Sequence, residues 1–182
     1  SSERGEMPNA QIVHLIADNK DAYAIQRASK HKIDYTVIES KKYSREDFEI
    51  QTLKVLQNKK VDVIVLAGFM RILTSKFINS YKNKIINIHP SLLPSFPGAH
   101  AHRDTISYGA KISGCTVHLV DEGVDTGPII MQASLQVDEN ETEETLSQKI
   151  LPLEHELLPR ALELFCSKKL KIDGRNVSII TD

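Results

Sequence analysis

Val61-Asp62-Val63-Ile64-Val65-Leu66-Ala67 is an apolar, β-branched run that stops at Gly68, and the fold is read outward from it. Short runs of this kind, bounded by a glycine, are the strands of sheets covered on both faces. Upstream, residues 34–38 predict a short strand and residues 10–17 (AQIVHLIA) a buried one. Between those two, residues 21–31 carry Ala22, Ile25 and Ala28 on one helical face. Ser44, with Asp47 three residues later, caps a helix that runs to about Asn58 and carries Phe48, Leu53 and Leu56. Downstream, residues 74–82 predict a helix, 84–88 (KIINI) a strand, and 101–109 a helix after a proline-rich loop at 90–98. Residues 112–120 and 128–137 then predict two successive strands joined by an acidic, glycine-containing turn. A helix over 142–167, kinked or interrupted at Pro152 and Pro159, precedes a hairpin over 170–181 turning at Asp173-Gly174.

Strands alternate with helices and then follow one another directly. That order predicts an α/β fold: a mostly parallel twisted sheet with helices on both faces and an antiparallel strand toward the C-terminal end. No repeat, low-complexity segment or linker divides residues 1–182, which read as one domain. With 41% apolar and 26% charged residues, the composition is that of an ordinary globular protein. The formal net charge of −1 supplies no global field for nucleic acid or anionic lipid. No apolar run approaches the ~18 residues of a spanning helix, so a soluble, cytoplasmic protein is expected. Cys115 and Cys166 are too few for a disulfide framework and read as reduced, buried thiols.

Chemistry gathers in two places. In Asn87-Ile88-His89-Pro90-Ser91-Leu92-Leu93-Pro94, strand alternation sends Asn87 and His89 to one side, at the carboxyl end where α/β sheets carry their sites. Either residue alone reads as a buried polar group satisfying the backbone; the pair, followed by a proline-fixed loop, favours catalysis. In Val120-Asp121-Glu122-Gly123-Val124-Asp125-Thr126-Gly127-Pro128 a carboxylate sits in a tight turn. A carboxylate near an imidazole favours its cationic form. Asn, His and Asp together can hold an oxyanion and control proton traffic. The loop Gly68-Phe69-Met70-Arg71-Ile72-Leu73 either offers its backbone to a flat heterocycle or simply packs Ile72 and Leu73 in the core. His100-Ala101-His102 lacks companions for a metal site, and Ser91 lacks a nucleophile elbow.

From about residue 9 to 167 these motifs resemble the folate-dependent formyltransferase family, in its glycinamide ribonucleotide branch. The Asn-x-His-Pro-Ser-Leu-Leu-Pro core is shared by several formyltransferases, and Phe69-Met70-Arg71-Ile72-Leu73 narrows the resemblance to the ribonucleotide branch. Ser113-Gly114-Cys115-Thr116-Val117-His118 fits the strand before the acidic turn. The resemblance implies a Rossmann-like formyltransferase fold and a catalytic trio of Asn87, His89 and Asp125. It implies folate contacts from Arg45, Met70, Arg71, Ile72, Leu73, Asn87, Asp121, Glu122, Gly123, Val124 and Asp125. Leu151, Pro152, Leu153 and Glu154 match the segment bordering the ribonucleotide. The implied co-substrate is 10-formyltetrahydrofolate, the other substrate glycinamide ribonucleotide, and no metal is implied.

On this reading the glycinamide amine attacks the formyl carbon, Asn87 and protonated His89 hold the oxyanion, and Asp125 keeps His89 cationic. Arg45 meets the acidic tail of the folate. The alternatives are a 10-formyltetrahydrofolate hydrolase using the same trio on water, and a non-catalytic folate-binding domain. One departure stands out: the family opens with a strand and a Gly-x-Gly-Ser-Asn phosphate loop. Here Ser1 to Met7 read as the end of the first helix. Either a leading segment is omitted, which is the expectation, or phosphate is not bound in the usual way; true loss of that central strand would leave neighbouring strand edges open.

Overall fold

Ile85 and Ile86 are adjacent in sequence yet buried in different apolar clusters, because successive strand side chains point to opposite faces. The computed structural model describes residues 5–180. Its elements are β1 (Leu15–Ala17), α1 (Tyr23–Lys30), β2 (Tyr35–Val37), α2 (Arg45–Asn58), β3 (Ile64–Leu66), α3 (Ser75–Ser80) and β4 (Ile85–His89). Then come α4 (Ala101–Tyr108), β5 (Ile112–Leu119), β6 (Ile129–Gln136), α5 (Glu143–Cys166), β7 (Leu170–Asp173) and β8 (Asn176–Ile179).

Strands β3, β4, β5 and β6 are hydrogen-bonded in that order. β3 is parallel to β4, while β5 is antiparallel to both β4 and β6, so three of the four strands share a direction. β1 and β2 form a separate parallel pair, and β7 and β8 an antiparallel hairpin. On one face Ile86, Cys115, Val117 and Leu119 meet Leu146, Ile150, Leu157 and Ala161 of α5. On the other, Ile85 meets Leu56 of α2 and Phe77 and Ile78 of α3, with Ile16 and Ile64 packed against them. Helices therefore cover both faces, and the α/β class with a mostly parallel sheet holds. Among the described residues no helix is long and apolar enough to cross a membrane.

Local signals explain most boundaries. The Ser44 hydroxyl accepts the Asp47 N–H at 3.1 Å and donates to the Asp47 carboxylate at 2.8 Å, opening α2 as expected. Thr142 and Thr145 make a reciprocal cap at the start of α5.

Four expectations change. The strand expected over 10–17 shortens to Leu15–Ala17, leaving Ile12 and Val13 exposed, because its partner β2 is itself three residues long. The run at 61–67 shortens to Ile64–Leu66 with Val65 exposed, since among the described residues β3 pairs only with β4. Pro152 and Pro159 do not interrupt α5. Each interior proline costs about 3 kcal/mol. Burial of Leu146, Ile150 and Leu157, at about 1.5–3 kcal/mol each, is of the same size and acts against a break. Finally, residues 5 and 6 are turn and bend and Met7 is irregular, so none of them ends a helix; residues 1–4 lie outside the described residues.

Candidate active site

Asn87 and His89 project from the face of β4 opposite to Ile86 and Ile88. The antiparallel register places His118 of β5 across from Asn87, and Thr116 across from His89. Asn87 Nδ2 lies 3.2 Å from His118 Nε2. The turn after β5 folds back over this face and delivers Asp125 to both rings. Its Oδ2 is 3.3 Å from His89 Nδ1, and its Oδ1 is 3.6 Å from His118 Nε2. The Gly98 N–H donates to Oδ2 at 2.8 Å.

Backbone details aim that carboxylate. Asp125 has φ of +53°, in the left-handed region that Asp tolerates better than most residues. A Cβ at Gly127 would collide with the Leu119 carbonyl oxygen, so the turn can press against β5 only with glycine there. Asp121 accepts the Gly123 N–H at 3.1 Å and the Thr126 hydroxyl at 2.6 Å, closing the turn from within. On the other side, the Thr116 hydroxyl donates to the Ser91 carbonyl at 2.6 Å and accepts the Leu93 N–H at 3.1 Å. Gln132 donates to the Leu93 carbonyl at 2.9 Å. These bonds tie the 90–98 loop, with its cis Leu93–Pro94 peptide, to the sheet.

The electrostatics follow from these contacts. The His118 ring, the Gly98 N–H and the His89 ring hold the Asp125 carboxyl down to about 2, although burial pushes it up. His89 has Nδ1 on that carboxylate and Nε2 2.8 Å from the Phe96 carbonyl oxygen. Both partners are acceptors, so only a doubly protonated ring satisfies both. His118 has Nδ1 2.9 Å from the Leu119 carbonyl oxygen, so that nitrogen carries a proton. Its Nε2 faces both the Asn87 amide at 3.2 Å and the Asp125 carboxylate at 3.6 Å, and the Asn87 amide keeps a hydrogen for a ligand.

These groups form one wall of a cavity of about 960 Å³. Glu154, on α5, faces the same space. Among the described residues no cation or hydrogen-bond donor pairs with it, and burial pushes its carboxyl up. His102 also lines the cavity, and burial holds its ring below the usual imidazole range. Among the described residues no cluster of three or more His, Cys, Asp or Glu side chains is placed to hold a metal ion.

The profile of the formyl transferase family matches residues 2–162. The chain belongs to this family. It is 42% identical over 156 residues to the phosphoribosylglycinamide formyltransferase of Bacillus subtilis (strain 168), covering 85% of this chain and 80% of the relative. It is 45% identical over 163 residues to the trifunctional purine biosynthetic protein adenosine-3 of Drosophila pseudoobscura pseudoobscura, covering 89% of this chain. The chain spans only 12% of that longer relative. The crystal structure of glycinamide ribonucleotide transformylase 1 from Symbiobacterium toebii superposes with a TM-score of 0.96 at 41% identity, covering 99% of this chain and 85% of the other.

Within this formyl transferase, Met70, Arg71, Ile72, Leu73, Asn87, His89, Asp121, Gly123, Val124 and Asp125 all line the cavity, as do Leu151 and Glu154. Arg45, Glu122, Pro152 and Leu153 do not. Arg45 stands 3.8 Å from the buried Glu49 carboxylate, its side chain 42% exposed. Glu122 lies in the turn that Asp121 closes, away from the cavity wall. Leu153 packs against the α5 core: helical spacing groups Leu151, Glu154 and His155 on the cavity side and turns Leu153 away. His118 was absent from the residues expected at the site. Its signal was the period-two pattern of β5, where Gly114, Thr116 and His118 alternate with Cys115, Val117 and Leu119.

Both His89 ring nitrogens have partners, Nδ1 at the Asp125 carboxylate and Nε2 at the Phe96 carbonyl.

Proposed function

We propose that this protein transfers the formyl group of 10-formyltetrahydrofolate to the amine of glycinamide ribonucleotide, a step of purine biosynthesis. The observation that carries the reading is the convergence of Asn87, His89, His118 and Asp125 on a cavity that Glu154 also lines. The B. subtilis relative, matched over most of its length, supports the choice of substrates.

The amine nitrogen attacks the formyl carbon, forming a new C–N bond and an oxyanion. The free amide N–H of Asn87 donates to that oxygen. His89 contributes the positive charge that its two acceptors favour; a direct bond requires its Nε2–H to leave the Phe96 carbonyl. The bond from the formyl carbon to the folate nitrogen then breaks, and the proton lost by the attacking amine reaches that nitrogen. Asp125 stays ionised throughout and keeps the imidazolium in place. No covalent enzyme intermediate is needed.

Met70, Arg71, Ile72 and Leu73, with the 121–125 turn, hold the folate. Arg45, outside the cavity and partly exposed, meets its acidic tail. Leu151 and Glu154 border the ribonucleotide, with Glu154 accepting from the amine. Residues 1–182 act as one formyltransferase domain in the cytoplasm.

The test is turnover with 10-formyltetrahydrofolate in the presence and absence of glycinamide ribonucleotide. Formylated ribonucleotide should form in proportion to folate consumed. Formate release without the acceptor would instead identify a hydrolase. Folate binding without either product would identify a non-catalytic folate-binding domain.

A further inference from the structure

Helix α2 grips the loop at 68–74 through two adjacent residues. The Phe48 ring stacks on Phe69, centroids 6.4 Å apart at 26°, and carries the Arg71 guanidinium 4.9 Å above its centre. Arg71 also donates to the Ser40 carbonyl at 3.3 Å. The next residue, Glu49, is only 5% exposed. Its carboxylate accepts the Thr74 N–H at 2.7 Å and the Thr74 hydroxyl. That hydroxyl in turn accepts the Phe77 N–H at 3.3 Å and so starts α3.

A buried carboxylate is costly unless its oxygens are hydrogen-bonded, and an apolar side chain is often no worse in its place. Both hydrogen bonds of the Glu49 carboxylate go to one residue, the last of the loop, while Arg45 Nε stands 3.8 Å from Oε1. Between the two grips Met70 and Ile72 are 73% and 58% exposed on the cavity wall. Large apolar side chains held in water would otherwise collapse onto the nearest apolar surface. The anchoring at both ends opposes that collapse.

We infer that Glu49 is a positioning residue for the formyl donor: through Thr74 it holds the 68–74 loop open in the shape that receives the folate. This rests on the reading of that loop as the folate wall. Glu49 itself is absent from the cavity lining.

The experiment is steady-state kinetics of the full chain, with formyl donor and ribonucleotide varied separately. Glu49→Ala should raise the formyl-donor KM, and Thr74→Val, which deletes the hydroxyl at constant shape, keeps the test sound if Glu49→Ala does not fold. Thr74→Val should raise the formyl-donor KM about tenfold, the scale of one lost charge-assisted hydrogen bond, with kcat and ribonucleotide KM within about twofold of wild type. Thr74→Ser, which keeps the hydroxyl, should restore the formyl-donor KM. An unchanged formyl-donor KM in folded Thr74→Val overturns the inference, as does a fall in kcat alone that tracks the folded fraction. Ile72→Ala separates the two levels. If it raises the formyl-donor KM while Thr74→Val does not, the role of Glu49 fails alone. If neither variant moves it, the loop is not the folate wall and both readings fail.

Discussion

Replacing Asp125 by asparagine isolates a charge with little change of shape. Oδ2 of Asp125 accepts from Gly98 at 2.8 Å and faces His89 Nδ1 at 3.3 Å, and an amide oxygen in that place keeps both partners. The amide nitrogen then takes the Oδ1 position, 3.6 Å from His118 Nε2. The carboxyl is held down from 3.8 to about 2 in the fold. At about 1.4 kcal/mol per pH unit this corresponds to roughly 2 kcal/mol of stability, or about 1–2 kcal/mol once partial solvent access is allowed for. A lowered carboxyl stabilises the fold fully above its ordinary value, and that contribution fades as pH falls through the folded value. Urea unfolding of wild type and Asp125→Asn at a series of pH values measures it. The difference should be about 1–2 kcal/mol at neutral pH, shrink below about pH 4 and vanish near about pH 2. Turnover should fall about 10²-fold or more at neutral pH, as the imidazolium loses its counter-charge. A stability gap that is independent of pH, or absent at neutral pH, would refute the electrostatic account.

Asn87→Ala should slow turnover about 10²–10³-fold with little change in formyl-donor KM, read by saturation kinetics; a near wild-type kcat removes Asn87 from the mechanism. Glu154→Gln should act in opposite directions on stability and binding. Burial raises the Glu154 carboxyl, so the fold loses stability as pH rises from the ordinary carboxylate value of 4.5 through the higher folded value, and the neutral amide should raise Tm at pH 7. The same change should raise the ribonucleotide KM about tenfold through loss of a charged acceptor, which acceptor-dependent kinetics would detect. Cys115 is fully buried and its thiol is pushed up to about 11 by burial, so it should resist maleimide at neutral pH until the chain is unfolded in urea. Rapid labelling of native Cys115, followed by mass spectrometry, would contradict the packing of β5.

The order of strands and helices was legible because local chemistry marked it: Ser44 with Asp47, the glycine after Ala67, and the paired runs around the acidic turn. Asn87 and His89 were legible for the same reason, since alternation along one strand is a local property. What escaped depends on partners remote along the chain. The length of β1 and β3 is set by what pairs with them, which their apolar composition does not encode. His118 reached the site through an antiparallel register with β4, and a histidine in an otherwise apolar strand reads first as core. The continuity of α5 through Pro152 and Pro159 likewise reflects its packing against the sheet, where propensity alone argues for a break.

Strand β4 belongs to both apolar clusters at once, through Ile85 on one face and Ile86 on the other. Freeing its amide hydrogens requires both clusters to come apart, so exchange with solvent deuterium at 86–88 should proceed no faster than unfolding of the whole domain. The turn at 121–127 has no such double anchorage and should exchange through small local openings. Asn87 and His89 would then share a slowly exchanging strand, and Asp125 a faster turn. Recognition can be adaptive and chemistry stationary within a single cavity.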